Sequence, residues 1–282
     1  MSAAEPAPDW RALNRANWDE RVPVHLGPRG YDLAKLASGA ARLNAIEEAE
    51  LGRVAGLRIL HLQCHFGHDS LILAQRGATV VGLDFSAPAI EAARELAQRL
   101  GLADRARFVQ SDLYDAAAAI PEPGAFDAVF VTWGALPWLP DIRGWARVVA
   151  HFLKPGGWLY LAEGHPAALV LDDLCRLPNG NPGFFAPYFH QEPLLIDDAT
   201  DYVDREARLT NAATCQWIHP LGAVVTALIE AGLRLDWLHE HPNVTWRMFQ
   251  CLVEDAAGLF NWPGQPWLPL AYSLRASRHG TA

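Results

Sequence analysis

A doubly wound α/β fold is what this sequence of 282 residues predicts, and three observations point to it. Five short, almost fully apolar runs (57–62, 79–84, 106–112, 125–133 and 158–163) have the composition of strands buried on both faces. Segments with helical spacing of apolar residues separate them, so the strands pair in parallel through right-handed crossovers. After residue 216 a helical segment and two more runs finish the chain, as an antiparallel hairpin at one sheet edge would. The expected architecture is a seven-stranded sheet, mostly parallel with its last strand antiparallel, with an insertion after strand five and an N-terminal helical lid.

Residues 1–8 are rich in Ala and Pro and are expected to be mobile. From Trp10 to Gly52 the pattern is helical in pieces, broken by Pro23, Gly27, Pro28 and Gly30, and the last piece, LNAIEEAEL, stops at Gly52. Segment 1–52 is read as the lid. LRILHL (57–62) meets QCHFGHDS, after which Leu71, Ile72 and Ala74 begin a helix that Gly77 closes. TVVGLD (79–84) is the second strand. Ser86 is placed to cap the next helix, with Pro88 in its first turn, and Ile90, Ala93, Leu96, Ala97 and Leu100 recur at helical spacing before Gly101. ARFVQSD (106–112) and AFDAVFVTW (125–133) are strands three and four. A helix near 142–153 and the turn KPGG (154–157) lead to WLYLAE (158–163), which completes a core spanning 53–165.

From His165 to Gln216 the alternation stops, and 166–216 reads as an insertion. PNGNPGFFAPYFHQEP is full of turn formers and aromatics, and ATDYVDREARLT suggests one or two exposed strands. LGAVVTALIEAG (221–232) is helical, LRLDWLHE (233–240) is a strand, and a Trp/Pro-rich loop (241–267) precedes the last strand, LPLAYSLRA (268–276). Segment 217–282 thus completes the sheet.

Composition excludes several classes of function. The net charge of −9, with 23 basic residues thinly spread and only two of them lysine, argues against a nucleic-acid surface. No stretch approaches the roughly 20 apolar residues of a membrane span. MSAAEPAPDW has neither the basic start nor the apolar run of a signal peptide, so a cytoplasmic location is expected. Cys64, Cys175, Cys215 and Cys251 form no CxxC pair and are read as reduced thiols.

Ligands of open α/β sheets bind outside the carboxyl ends of the strands. The first strand presents Gln63, Cys64, His65, Phe66 and Gly67, a turn opening into a helix whose N-terminus favours a carboxylate, with close backbone approach at Gly67. The second presents Asp84, an acceptor about 20 residues on, placed for two ribose hydroxyls. Asp112 and Leu113 follow the third strand, and Thr132, Trp133 and Gly134 end the fourth. His61, Cys64, His65 and His68 invite a zinc reading, but His61 ends a buried strand and the turn is needed for a cofactor, so no metal is expected.

The stretches ILHLQCHFGHDS, VVGLDFSAPAIEAAR, FVQSDLYD, FDAVFVTW and FLKPGGWLYLAE resemble the class I methyltransferase family, clearly over 55–165 and more loosely over 215–276. HLQCHFGHDS with NWDERVPVH and an early YD is similar to a bacterial subgroup of small-molecule type. The resemblance implies a Rossmann-like sheet and S-adenosylmethionine as cofactor. By it, Gln63, Cys64, His65 and Gly67 face the methionine part. Asp84 holds the ribose with Phe85 and Ser86 beside it, Asp112 accepts from the adenine amino group near Leu113, and Thr132, Trp133 and Gly134 lie under the sulfonium. Tyr31 is a lid contact to the cofactor, with Trp18 and His25 as further lid candidates. The sequence departs from the family at its first motif, where His61 takes the place of an acid and Gln63 and His65 take the places of glycines.

Methyl transfer from a sulfonium is an in-line displacement, so the main task is to hold a small-molecule acceptor aligned with water excluded. If a general base is used, His165 after strand five and His219 before the helix at 221 are the candidates. Phe184, Phe185, Tyr188 and Phe189 would give the insertion an aromatic cover suited to an aromatic or heterocyclic acceptor. Two other readings stay open. A protein of the same fold could bind the cofactor without methyl transfer, and a nicotinamide-dependent oxidoreductase would be expected to show the GxGxxG that is absent here.

Overall fold

In a computed structural model, which describes residues 9–280, the alternating apolar runs form one seven-stranded sheet of order β10-β14-β5-β4-β1-β2-β3. Its core strands are β1 (Arg58–Leu62), β2 (Thr79–Asp84), β3 (Ala106–Gln110), β4 (Phe126–Thr132) and β5 (Leu153–Gly164), all parallel. Helices α1 (Trp10–His25), α2 (Leu33–Ser38) and α3 (Ala45–Glu50) precede the sheet. The crossovers are α4 (His68–Gln75), α5 (Ala87–Arg99), the short α6 (Ala116–Ala119) and α7 (Ile142–Phe152). α5 illustrates why they form: Ser86 Oγ caps the Ala89 N–H, and Ala89, Ile90, Ala93, Leu96 and Ala97 make one buried stripe. Two buried layers result, one around Leu60, Val129, Trp145 and Leu161, the other around Ile59, Leu71, Ile90 and Phe130.

After β5 come α8 (Pro166–Leu169), the two-residue strands β6 (Leu171–Asp172) and β7 (Gly183–Phe184), then the antiparallel pair β8 (Leu194–Asp197) and β9 (Ala213–Gln216). α9 (Leu221–Glu230) leads to β10 (Leu233–His241) and to three small strands, β11 (Asn243–Val244), β12 (Val253–Glu254) and β13 (Phe260–Asn261). The last, β14 (Ala271–Arg278), runs antiparallel to both β10 and β5. This is the mixed sheet that the sequence predicts. No helix among the described residues is long and apolar enough to cross a membrane.

Several local expectations are corrected. α1 runs through Pro23 to His25 instead of breaking there. The helix after β1 starts at His68, not Leu71. KPGG is not a plain turn before β5: it bulges between two pairings with β4, Phe126 with Leu153 and Ala128 with Trp158. ATDYVDREARLT forms no strand beyond the isolated bridge Thr200–Arg208, and strands flank it instead. The Ala/Pro-rich stretch 1–8 lies outside the described residues.

Candidate active site at the carboxyl end of the sheet

The turn after β1 keeps an unusual backbone without the usual residue for it. Gln63 (φ 55°) and His65 (φ 50°) are the two non-glycine residues with positive φ among the described residues, and Gly67 follows at φ 76°. A left-handed conformation costs an L-residue about 1–2 kcal/mol, so surrounding contacts must hold it. Gln63 Nε2 donates to Ala135 O at 2.8 Å, and His65 N–H donates to Asp84 Oδ2 at 2.8 Å. Cys64 is buried, its N–H on Leu83 O. Gly67 has a different reason to be glycine from the one its motif suggests. A Cβ there would lie 2.5 Å from the Phe108 ring, so the missing side chain makes room for the core rather than for a ligand.

Asp84 ends β2, buried, with its second oxygen accepting from Ser86 N–H at 2.9 Å. Burial pushes its carboxyl up to about 6, against the downward pull of the Ser86 and His65 N–H groups. Each oxygen retains a lone pair for a further donor. Helix α1 crosses directly above: Asp19 accepts from Ser86 Oγ at 2.6 Å, the Arg15 guanidinium lies 5.8 Å from the Phe85 ring centre, and Arg11 Nε pairs with Asp112 Oδ2 at 2.9 Å. Asp112 also caps Tyr114 N–H, and Leu113 beside it is buried.

The fourth strand ends at Thr132, buried, and Trp133, whose Nε1 donates to Glu47 at 2.7 Å. The next three N–H groups converge on one carboxylate that the sequence reading missed. Glu163, 2 % exposed at the end of β5, accepts from Gly134 (2.6 Å), Ala135 (2.7 Å), Leu136 (2.9 Å) and Gly164 (2.8 Å). Burial raises its carboxyl above the usual range while these N–H groups oppose the shift. The available signal was a lone acid inside the otherwise apolar run WLYLAE.

Asp201 and Arg21, which sequence reasoning missed, join the lid candidate His25 above the β1 turn. Asp201 Oδ2 accepts from Arg21 Nη1 (2.8 Å) and lies 3.0 Å from His25 Nε2, while His25 Nδ1 is 2.8 Å from His65 Nε2. Trp18 packs edge-on against His65 and Trp138, with ring centres 5.2 and 5.3 Å apart. Tyr31 is partly buried against Phe66 and His68, its hydroxyl 3.1 Å from that of Tyr202. Burial raises the Tyr31 phenol far above its ordinary range.

The two histidines proposed as bases lie nearer the β5 end. His165 Nδ1 accepts from Ala167 N–H at 3.1 Å, and its Nε2 lies 3.0 Å from the Glu240 carboxylate without hydrogen-bond alignment. His219 Nε2 donates to Leu139 O at 2.7 Å. Burial lowers both imidazoles below their usual range. Glu163, His219 and Tyr272 line a small cavity of about 10 Å³, room for one water. The aromatic cover expected of the insertion is corrected: Phe184 and Phe189 are 80 and 77 % exposed, and Tyr188 points its hydroxyl at Leu221 N–H. Trp10, Trp18, Trp138 and Trp217 provide the aromatic pairs around the lid.

S-adenosylmethionine offers donors in its α-ammonium group, ribose hydroxyls and adenine amino group. The residues present fit such a ligand. Gln63 Oε1 and His65 Nδ1 are buried polar atoms without a hydrogen-bond partner among the described residues, on the same turn as the Asp84 contact.

A family model described as a methyltransferase domain matches residues 59–157. Methyltransferase GfsG of Streptomyces halstedii is 30% identical over 195 residues, 66% of this chain and 68% of that protein. The ubiquinone biosynthesis O-methyltransferase of Leptothrix cholodnii is 31% identical over 121 residues, 43% of this chain and 49% of that one, so the chain spans about half of it. In fold, the chain is similar to geranyl diphosphate C-methyltransferase of Streptomyces coelicolor, crystallised with Mg2+, geranyl diphosphate and S-adenosyl-L-homocysteine. That match has a TM-score of 0.55 at 15% identity and covers 97% of this chain and 99% of the other.

Proposed function

We propose, for a chain that belongs to the class I S-adenosylmethionine-dependent methyltransferase family, that it transfers a methyl group to a small-molecule acceptor by in-line displacement. The observation that carries this reading is the contact of a buried carboxylate, Asp84, with a β1 turn that carries partnerless polar atoms, at the carboxyl end of the sheet. When bound, the cofactor supplies a methyl group already activated on sulfur. The protein's own residues then have three tasks. Asp84 accepts from the ribose hydroxyls, and Asp112 with Leu113 holds the adenine, once Arg11 has yielded the Asp112 carboxylate. Glu163 keeps the floor loop Trp133–Leu136 in place by holding its N–H groups. α1 closes the mouth and excludes water, with Trp18 on its inner side and Tyr31 beyond its end against Phe66.

The edges of Trp18 and Trp138 at this mouth support a flat aromatic or heterocyclic acceptor. His165 Nδ1 and His219 Nε2 are committed to backbone groups, which supports a role in ordering the β5 corner. His165 Nε2 has no hydrogen-bond partner among the described residues beside Glu240 and stays the nitrogen a proton transfer would use. An acceptor that arrives with a free lone pair needs no base. In this reading 1–52 is the lid, 53–165 the cofactor core, 166–216 the side wall and 217–282 the completion of the sheet. Four free thiols agree with a cytoplasmic setting.

Calorimetric titration with S-adenosylhomocysteine tests the cofactor site. Binding in the micromolar range that weakens by roughly 1–3 kcal/mol in Asp84→Ala is the expected outcome. Folded wild-type protein that binds none would sink the reading.

A further inference from the structure

The two places where glycine is usual in the β1 turn carry side chains that end in bare acceptors. Gln63 uses its Nε2 on Ala135 O, which leaves Oε1 as the buried atom without a partner. His65 uses Nε2 toward His25, which leaves Nδ1 buried and without a partner among the described residues. Keeping a buried acceptor unpaired costs about 1–3 kcal/mol, and both positions also bear left-handed backbone. Two such costs on one turn call for a ligand that donates.

Whether His65 Nδ1 accepts or donates depends on its tautomer, and a chain of contacts fixes it. Asp201 Oδ2 is an acceptor, so His25 carries its hydrogen on Nε2. With that one hydrogen on Nε2, His25 Nδ1 presents a lone pair, and His65 donates to it from Nε2. The consequence is a lone pair on His65 Nδ1. Burial, with the Arg21 guanidinium nearby, holds His65 uncharged.

The end of β1 supplies no acid of its own. His61 stands there with Nδ1 2.8 Å from Ser70 Oγ and its ring against Phe130, and burial keeps it neutral. We infer that the turn holds the α-ammonium group of the cofactor through Gln63 Oε1 and His65 Nδ1, with Asp201 and His25 as positioning residues that set the tautomer. The inference rests on the proposed cofactor site and goes further, assigning the ammonium to side chains that replace both the glycines and the acid. A neutral pair suits a neighbour that is itself near a sulfonium and a carboxylate: it accepts hydrogen bonds without adding net charge.

The test compares S-adenosylhomocysteine with its des-amino analogue by calorimetry. Wild type is expected to prefer the amino compound at least tenfold. A Gln63→Ala/His65→Ala variant is expected to bind the two within threefold of each other, with affinity for the des-amino compound little changed. Because alanine keeps the strain at φ 50°, His65→Gly, which relieves it, is run beside it and should lose most of the preference as well. Nitrogen NMR of imidazole-labelled protein should show the His65 signal as the Nε2–H tautomer, becoming mixed in His25→Phe, which keeps a ring but removes the lone pair. Equal binding of both compounds by wild type overturns the inference while leaving the cofactor site standing, as does a preference that survives the double variant. An Nδ1–H tautomer in wild type overturns it too. Binding of neither compound removes the site and the inference together.

Discussion

The turn after β1 and the loop after β4 lie side by side, and they treat buried polar atoms in opposite ways. In the loop, Glu163 receives four backbone N–H groups at 2.6–2.9 Å, and every donor has its acceptor. In the turn, Gln63 Oε1 and His65 Nδ1 stand without partners among the described residues, on backbone that favours glycine. A saturated carboxylate in a buried setting is a structural device, since its removal leaves several buried donors unpaired. Partnerless acceptors on strained backbone are costly unless something else meets them, and that points to a ligand. The two elements are joined, because Gln63 Nε2 donates to Ala135 O in the very loop that Glu163 holds.

The largest effect should come from breaking the saturated side. Glu163→Gln keeps the shape but puts an NH2 where one carboxylate oxygen took two N–H groups. Two buried donors then face a donor, which offsets any gain from removing a buried charge. Stability is expected to fall by roughly 3 kcal/mol, read as a lower urea midpoint at unchanged slope. A change below about 1 kcal/mol would mean that the loop does not depend on Glu163.

Next in size is the pH response of Asp84. Its carboxyl is pushed up to about 6 by burial, and ribose hydroxyls would favour the ionised form. Binding below that pH must therefore expel a proton first. Affinity for S-adenosylhomocysteine should be flat above pH 7 and should drop as the pH falls through 6, approaching tenfold per unit. The sign is that of an acid raised in the free protein and lowered by its ligand. Titrations at several pH values, repeated on Asp84→Asn, check it: the variant should bind more weakly and lose the slope. A slope that persists in the variant would assign the titration to another group.

Much of this fold was legible because a strand buried on both faces has no polar alternation to confuse it, as in LRILHL and TVVGLD. Strand ends then located Asp84, Asp112 and the β1 turn with no knowledge of packing. What stayed hidden depends on long-range contact. His25 and Asp201 meet across 176 residues, and neither carries a local pattern that foretells the other. α1 continues through Pro23 because tertiary packing, with Val22 and His25 buried, outweighs a missing N–H near the helix end. The exposed Phe184 and Phe189 show the converse limit, since composition gave an aromatic segment but not the direction in which it faces.

The smallest effect sharpens the comparison most, because it asks whether the turn's side chains exist for stability at all. Gln63→Gly removes the hydrogen bond to Ala135 O, worth about 1 kcal/mol, and adds unfolded-chain freedom costing about 0.4–1 kcal/mol. Against this it relieves a left-handed backbone at φ 55°, worth about 1–2 kcal/mol, and deletes a buried, partnerless oxygen. The Ala135 carbonyl left without that donor offsets the deleted oxygen, and the rest nearly cancel, so stability should stay within about 1 kcal/mol of the parent in a denaturant titration. A loss several times larger would show that Gln63 is held in place for the fold, like Glu163. Near-neutral stability combined with weaker S-adenosylhomocysteine binding would instead mean that this residue is kept at a glycine position for what it binds.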